Sequence, residues 1–144
     1  MPNYYTLEPD VAGGLGPHIV LDGQTRPPRV TRLEYVFDGW SGDDLLESYP
    51  CLVTTKSMAQ RLMQAATTGF LLRDVEVSTS GEFQDLFPTR ELPVFVWLDI
   101  TGTAGADDFG LASDGRLVVS ARALGILRHG QLEHCDVEES LGNG

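Results

Sequence analysis

The stretch LPVFVWLDITG, Leu92 to Gly102, limits this chain more than any other part of it. Its β-branched and aromatic residues run together with little polar interruption, the composition of a strand covered on both faces rather than one with a wet side. It is therefore expected to lie at the centre of a sheet. Such a strand needs partners on both edges and apolar layers above and below.

Other segments supply those partners. NYYTLEP alternates β-forming residues up to Pro9, and RVTRLEYVF, Arg29 to Phe37, alternates well enough for a strand. CLVTT, Cys51 to Thr55, reads as a short strand. FLLRDVEVS reads as another, with Val75 and Val77 on one face and Asp74 and Glu76 on the other. FGLASDGRLVVS sets Asp114-Gly115 between two apolar runs, the pattern of a tight hairpin, and QLEHCDVEES adds a last short strand. VAGGLGPHIVLDGQTRPP, dense in glycine and proline, suits an ordered but irregular excursion.

Two helices are well marked. Ser57 and Gln60 have capping-box spacing ahead of Met58, Leu62, Met63 and Ala66, and Gly69 is expected to close that helix in the left-handed conformation. Ser120 caps a second, ARALGILRHG, with Leu124 and Leu127 inward, Arg128 and His129 near the negative end of its dipole, and Gly130 as its stop. GEFQDLFP has length for one or two turns before Pro88. The expected fold is α+β, a single domain over residues 1–144 with a mainly antiparallel mixed sheet and two or three helices, its last residues, 140–144, frayed. A chain of this length buries roughly 68–70% of its unfolded surface, enough for one core without disulfides.

Charge narrows the partners. Twenty-one Asp and Glu stand against ten Lys and Arg, a formal charge of -11. Such a surface is expected to repel nucleic acid and anionic membrane and to attract a basic partner through a long-range field. The opening residues lack a basic stretch followed by an apolar one, and no apolar run approaches the ~20 residues of a membrane helix. Cys51 and Cys135 are too few for a disulfide scaffold, so the expected location is the reducing cytosol.

Motifs for chemistry fall short one by one. DDFG, Asp107 to Gly110, shares letters with the kinase metal-binding triplet but lacks the catalytic loop and the strand lysine. GGLGPH places Pro17 and His18 where a phosphate-binding loop would offer Lys and Ser or Thr. Cys51 stands in an expected strand with no residue marking an oxyanion hole, and adjacent His134 and Cys135 lack a second ligand pair for zinc. Asp107, Asp108 and Asp114 do not follow the calcium-loop register. No catalytic residue, metal ligand or cofactor is assigned.

The acids of FDGWSGDDLLESYP are the remaining candidates: Asp38, Asp43, Asp44 and Glu47 gathered around Trp40. Ser41 and Asp44 have capping-box spacing, which predicts a short helix over Leu45 and Leu46 with Asp43 and Asp44 at its positive end. With the loop pair Asp107 and Asp108, these residues form the candidate partner-binding surface, Trp40 serving as its aromatic anchor.

Whole phrases carry a further signal. YYTLEPDVAGGLG, RLEYVFDGWSGDDLLESYPCLVT, TGFLLRDVEVSTSGEF, LPVFVWLDITGTAGADDFGLASDGRLVVSARALGIL and LEHCDVEE, in unbroken order from Tyr4 to Glu139, resemble the eleventh immunity-protein family of polymorphic toxin systems, a myxobacterial-type domain formerly of unknown function. The resemblance implies a non-catalytic antidote that binds and occludes a cognate toxin domain with a basic surface, a nuclease being one such activity, and so protects the producing bacterium and its kin. It carries over no catalytic or metal residue. The competing classes are a small enzyme or ligand-binding protein with a pocket near Cys51 or the Gly13–Gly16 loop, and an adaptor for a basic host protein.

Overall fold

Phe95 to Ile100 forms the strand around which the other layers are built. The computed structural model describes residues 3–22 and 29–140. In chain order its strands are β1 (Tyr4–Glu8), β2 (Gly13–Leu15), β3 (Val20–Asp22), β4 (Arg29–Arg32), β5 (Glu34–Phe37), β6 (Leu45–Ser48), β7 (Cys51–Thr55), β8 (Phe70–Arg73), β9 (Glu76–Thr79), β10 (Phe95–Ile100), β11 (Phe109–Leu111), β12 (Leu117–Ser120) and β13 (Asp136–Glu139). Three helices join them: α1 (Lys56–Gln64), α2 (Gly81–Leu86) and α3 (Ala121–His129).

These strands form three sheets and a ribbon, in the orders β6-β7-β10-β8, β11-β12-β1-β13, β2-β5-β9 and β3-β4. Among the described strands only β5 and β9 pair in parallel. The protein is thus a single small α+β domain, mostly antiparallel. Its middle layer is the sheet containing β10, which pairs antiparallel with β7 and β8.

Alternation along β10 splits the interior in two. Phe95 and Trp97 face one cluster, with Leu33, Tyr35, Phe37 and Phe83. Leu98 faces the other, with Leu7, Phe109, Leu117, Val119 and the inward faces of α1 and α3. Period-2 alternation with both sides apolar is why this strand reads as a continuous hydrophobic run.

Several local expectations are corrected by longer-range contacts. The glycine-rich excursion contains strands β2 and β3; a Cβ on Gly13 would lie 1.8 Å from the Val36 carbonyl oxygen, so only glycine lets β2 pair this closely with β5. Residues 23–28 of that excursion lie outside the described residues, as do 141–144 of the expected frayed tail. Arg29 to Phe37 is two strands, divided at buried Leu33: β4 joins the ribbon and β5 the third sheet. FLLRDVEVS is likewise divided, and Val77 faces outward while Val75 packs against the core.

The helix ends also differ. Thr55, not Ser57, caps α1, its hydroxyl accepting from the Met58 N–H at 3.3 Å. Ala66, at φ 55°, takes the left-handed position after that helix, and exposed Met63 lies off its buried face. Gly69 is needed elsewhere, since a Cβ there would lie 2.0 Å from the Phe109 carbonyl oxygen. Asp114-Gly115 does turn the β11–β12 hairpin. The Gly115 N–H donates to the Ala112 carbonyl at 2.9 Å with Gly115 at φ 90°, which makes the connection a three-residue loop with a glycine bulge.

The largest correction concerns Asp43 to Leu46. No helix forms there; Leu45 and Leu46 open β6, one in each apolar cluster. Residues 180° apart on a strand reach opposite cores, whereas neighbours on a helix lie about 100° apart and do not. Tertiary burial outweighs the local capping signal.

Ser120 performs the expected capping of α3 and one task more. Its hydroxyl accepts from the Ala123 N–H at 3.0 Å and donates to Asp108 Oδ1 at 2.7 Å. Ser120→Ala is expected to lower stability by about 1–2 kcal/mol in urea titrations, with an unchanged slope. A change within error would show that neither bond contributes.

Candidate functional site

The structure disperses the acids that cluster in the sequence. Asp43 is 1% exposed, and its carboxylate accepts from the Glu133 N–H at 3.1 Å, the His134 N–H at 2.8 Å and His134 Nδ1 at 3.1 Å. Asp44 accepts from the Thr55 hydroxyl at 2.7 Å and the Gln131 N–H at 2.7 Å. Its own backbone N–H donates to the Gln131 carbonyl, and its carbonyl accepts from the Thr55 N–H. The same carboxylate lies 2.3 Å from where a Gly130 Cβ would stand, a spatial reason for glycine after α3. Both acids therefore clasp the chain that follows the last helix.

Asp107 and Asp108 also accept hydrogen bonds from within the protein, at half-buried positions. Asp107 accepts from the Thr103 N–H at 2.8 Å. Asp108 accepts from the Ser120 hydroxyl, the Thr68 N–H at 3.0 Å and Arg122 at 2.8 Å. Burial raises its pKa, but those bonds outweigh burial and hold it below the ordinary value. Glu47 lies half-buried on β6; burial first, then the charge of Glu8, pushes its carboxyl up. Of the seven sequence candidates, Asp38 and Trp40 share one surface depression.

That depression is a groove of about 570 Å³ between the chain before β2, the loop after β5, and α2. Trp40 forms part of its floor. The indole N–H donates to the Asp43 carbonyl at 2.9 Å, its ring meets Phe95 edge-on, and the Arg90 guanidinium sits 5.1 Å above it. The Asp38 and Gly39 N–H groups both donate to the Ala12 carbonyl, which fixes the two walls to one another.

Three large apolar side chains open into solvent at this groove: Val11 at 60% exposure, Leu86 at 62% and Phe87 at 41%. Asp10, Asp38 and Glu82 stand around them. Sequence reading passes over all three apolar residues. Their signal is faint: α2 has six residues and turns only Phe83 into the core, so the LF before Pro88 is left outside. Apolar anchors inside a ring of acceptor-only carboxylates suit a protein segment with an aliphatic or aromatic side chain flanked by Lys or Arg.

A second cavity, of about 420 Å³, contains Cys51 with Trp97, Arg73 and Asp99. Arg73 donates to Asp99 at 2.7 Å. Burial, helped by the Asp99 charge, pushes the Cys51 thiol up to about 12, and its lining holds no histidine to serve as a base. The thiol is protonated near neutral pH and poorly nucleophilic. Gly13, from the other pocket expectation, lines the acidic groove.

Compared with known proteins, the chain matches no family model, and no curated protein matches it. The resemblance to the immunity family rests on the phrases quoted above. Among the described residues, no helix is long and apolar enough to cross a membrane.

The clasp and the groove predict opposite mutational outcomes. Asp43→Ala orphans two backbone donors and is expected to destabilise by about 3 kcal/mol, whereas Asp38→Ala stays within about 0.5 kcal/mol. Equal effects in chemical denaturation would contradict this division of labour. The His134 pKa is raised, first by its hydrogen bond to Asp43 and further by the charges of Asp43, Asp10 and Glu133. With the folded value above the unfolded one, this contribution is fully present below the unfolded pKa and lost as pH rises through the folded pKa. The stability difference between wild type and His134→Ala is therefore expected to shrink as pH rises above the unfolded imidazole value of about 6.5. A difference that grows over that range would reverse the assignment.

Proposed function

We propose that this protein is an immunity protein, an antidote that binds a basic toxin domain through the acid-rimmed groove and occludes it. The observation that carries the reading is the placement of exposed Val11, Leu86 and Phe87 among Asp10, Asp38 and Glu82 in a chain of charge -11. A field of that sign steers a cationic domain at rates up to about 10⁸–10⁹ M⁻¹s⁻¹, which suits an antidote that must arrive before damage is done. The apolar side chains then slow dissociation, because they lose water only when a partner covers them. Trp40, already tied to Asp43 and covered by Arg90, serves as a rigid floor rather than the leading anchor. The resemblance across Tyr4 to Glu139 supports the same role, acting in the cytosol of the producer and its kin.

A second reading, a small-ligand protein, draws on the Cys51 cavity. Its thiol version places activity on a side chain that burial keeps protonated.

Co-expression with a toxin domain encoded beside it, which the proposal requires, tests the reading. The wild-type chain is expected to rescue growth and to co-purify with the toxin at a fixed ratio. Leu86→Asp combined with Phe87→Asp is expected to weaken the complex by about a hundredfold or more, and Asp10, Asp38 and Glu82 changed to Lys to slow association. Normal melting temperatures keep those outcomes separate from misfolding. Unchanged binding in both variants would remove the groove from the interface, and absence of any complex would remove the antidote role.

A further inference from the structure

The parallel pairing of β5 with β9 sets Glu34 opposite Glu76. Two carboxylates side by side on neighbouring strands repel one another unless a cation lies between them. Glu34 is also taken out of water, its side chain 5% exposed. Its Oε1 accepts the His18 N–H at 2.9 Å and its Oε2 accepts the Ser78 hydroxyl at 3.1 Å. A Cβ on Gly16 would lie 2.1 Å from Glu34 Oε1, so glycine at 16 is what leaves space for this carboxylate.

Glu76 is held from its other side. Arg32 donates to Glu76 Oε1 at 2.9 Å, leaving Oε2 turned toward the His18 imidazole. His18 Nδ1 contacts Glu76 Oε2 and stands 3.6 Å from Glu34 Oε1. One nitrogen and one oxygen from each glutamate thus lie within 4.8 Å of one another. The His18 side chain is 58% exposed, so the open side of the cluster faces solvent.

We propose that His18, Glu34 and Glu76 form a binding site for one divalent transition-metal ion of the zinc type, with water completing a four-coordinate shell. An imidazole nitrogen with two carboxylates fits zinc better than calcium or magnesium, which take all-oxygen shells. Bonds of about 2.0 Å at a tetrahedral angle place ligand atoms about 3.3 Å apart. The His18–Glu34 separation is close to that already. Glu76 and the exposed His18 ring, now in hydrogen-bond contact, part slightly as a shared proton gives way to a shared metal. Ser78, the His18 N–H and Arg32 each orient a ligating carboxylate from outside, the arrangement that fixes metal ligands in place.

Metal and proton compete here. The hydrogen bond to Glu76, then the charges of Glu34 and Glu76, raise the His18 pKa, while Arg32 opposes them. Binding displaces the imidazole proton to solvent, so affinity rises with pH. No spacing in the sequence points to this trio, because Glu34 and Glu76 meet through the β5–β9 pairing and His18 joins them through its N–H bond to Glu34.

Titration of the chelator-treated full chain with zinc sulfate at about pH 7.5, followed calorimetrically, tests the site. One zinc ion per chain is expected, with His18→Ala and Glu76→Gln each weakening binding at least about tenfold and Cys135→Ser and His134→Ala leaving it unchanged. X-ray absorption is expected to show nitrogen and oxygen neighbours without sulfur at about 2.3 Å. These two ligand residues are exposed or half-exposed, and circular dichroism checks that their variants fold. No zinc binding, binding in His18→Ala and Glu76→Gln equal to that of the wild type, or loss confined to Cys135→Ser or His134→Ala would each overturn the proposal.

Discussion

The buried Asp43 carboxylate and the three residues after it hold the molecule's layers to one another. Asp43 and Asp44 take the backbone donors of Gln131, Glu133 and His134, while Leu45 and Leu46 enter opposite apolar clusters. Four consecutive residues thereby join the chain after α3, the middle sheet and both cores. A buried charge is tolerable only when its lone pairs are filled, and here they are filled by donors about ninety positions away in sequence.

That distance explains what sequence reading could and could not find. The central strand β10, the strand β7, the Ser120-capped α3 and the Asp114-Gly115 hairpin carry their causes locally, in composition, capping hydroxyls and turn glycine. Asp43 to Leu46 carries a misleading local cause: acids ahead of two leucines look like a helix N-terminus. The partners that decide otherwise, Thr55 and the Gln131–His134 segment, are invisible to any short window. Arg29 to Phe37 is divided for a similar reason, since its halves belong to different sheets. Gly13 and Gly16 read as parts of an irregular excursion and Gly69 as a helix stop, yet each is required by close approach of a distant carbonyl or carboxylate.

The same logic reassigns the negative charge. Asp43, Asp44, Asp107 and Asp108 are occupied by hydrogen bonds within the fold. Asp38 stands at the acidic groove, joined by Asp10 and Glu82. Sequence reasoning named Asp38 and Trp40 among seven candidates without any sign of the groove, and it passed over Val11, Leu86 and Phe87, because exposure of an apolar side chain is a tertiary fact. On the proposed antidote reading, these exposed groups are where charge and apolar contact act together on a partner.

The central claim is that Asp43 and Asp44 are structural, holding the chain that follows α3. Native-state hydrogen exchange measures this directly at the Gln131, Glu133 and His134 amides. The account predicts that all three exchange slowly despite lying outside regular elements, and that Asp43→Ala speeds Glu133 and His134 to loop rates. Rapid exchange of these amides in the wild-type protein would contradict it.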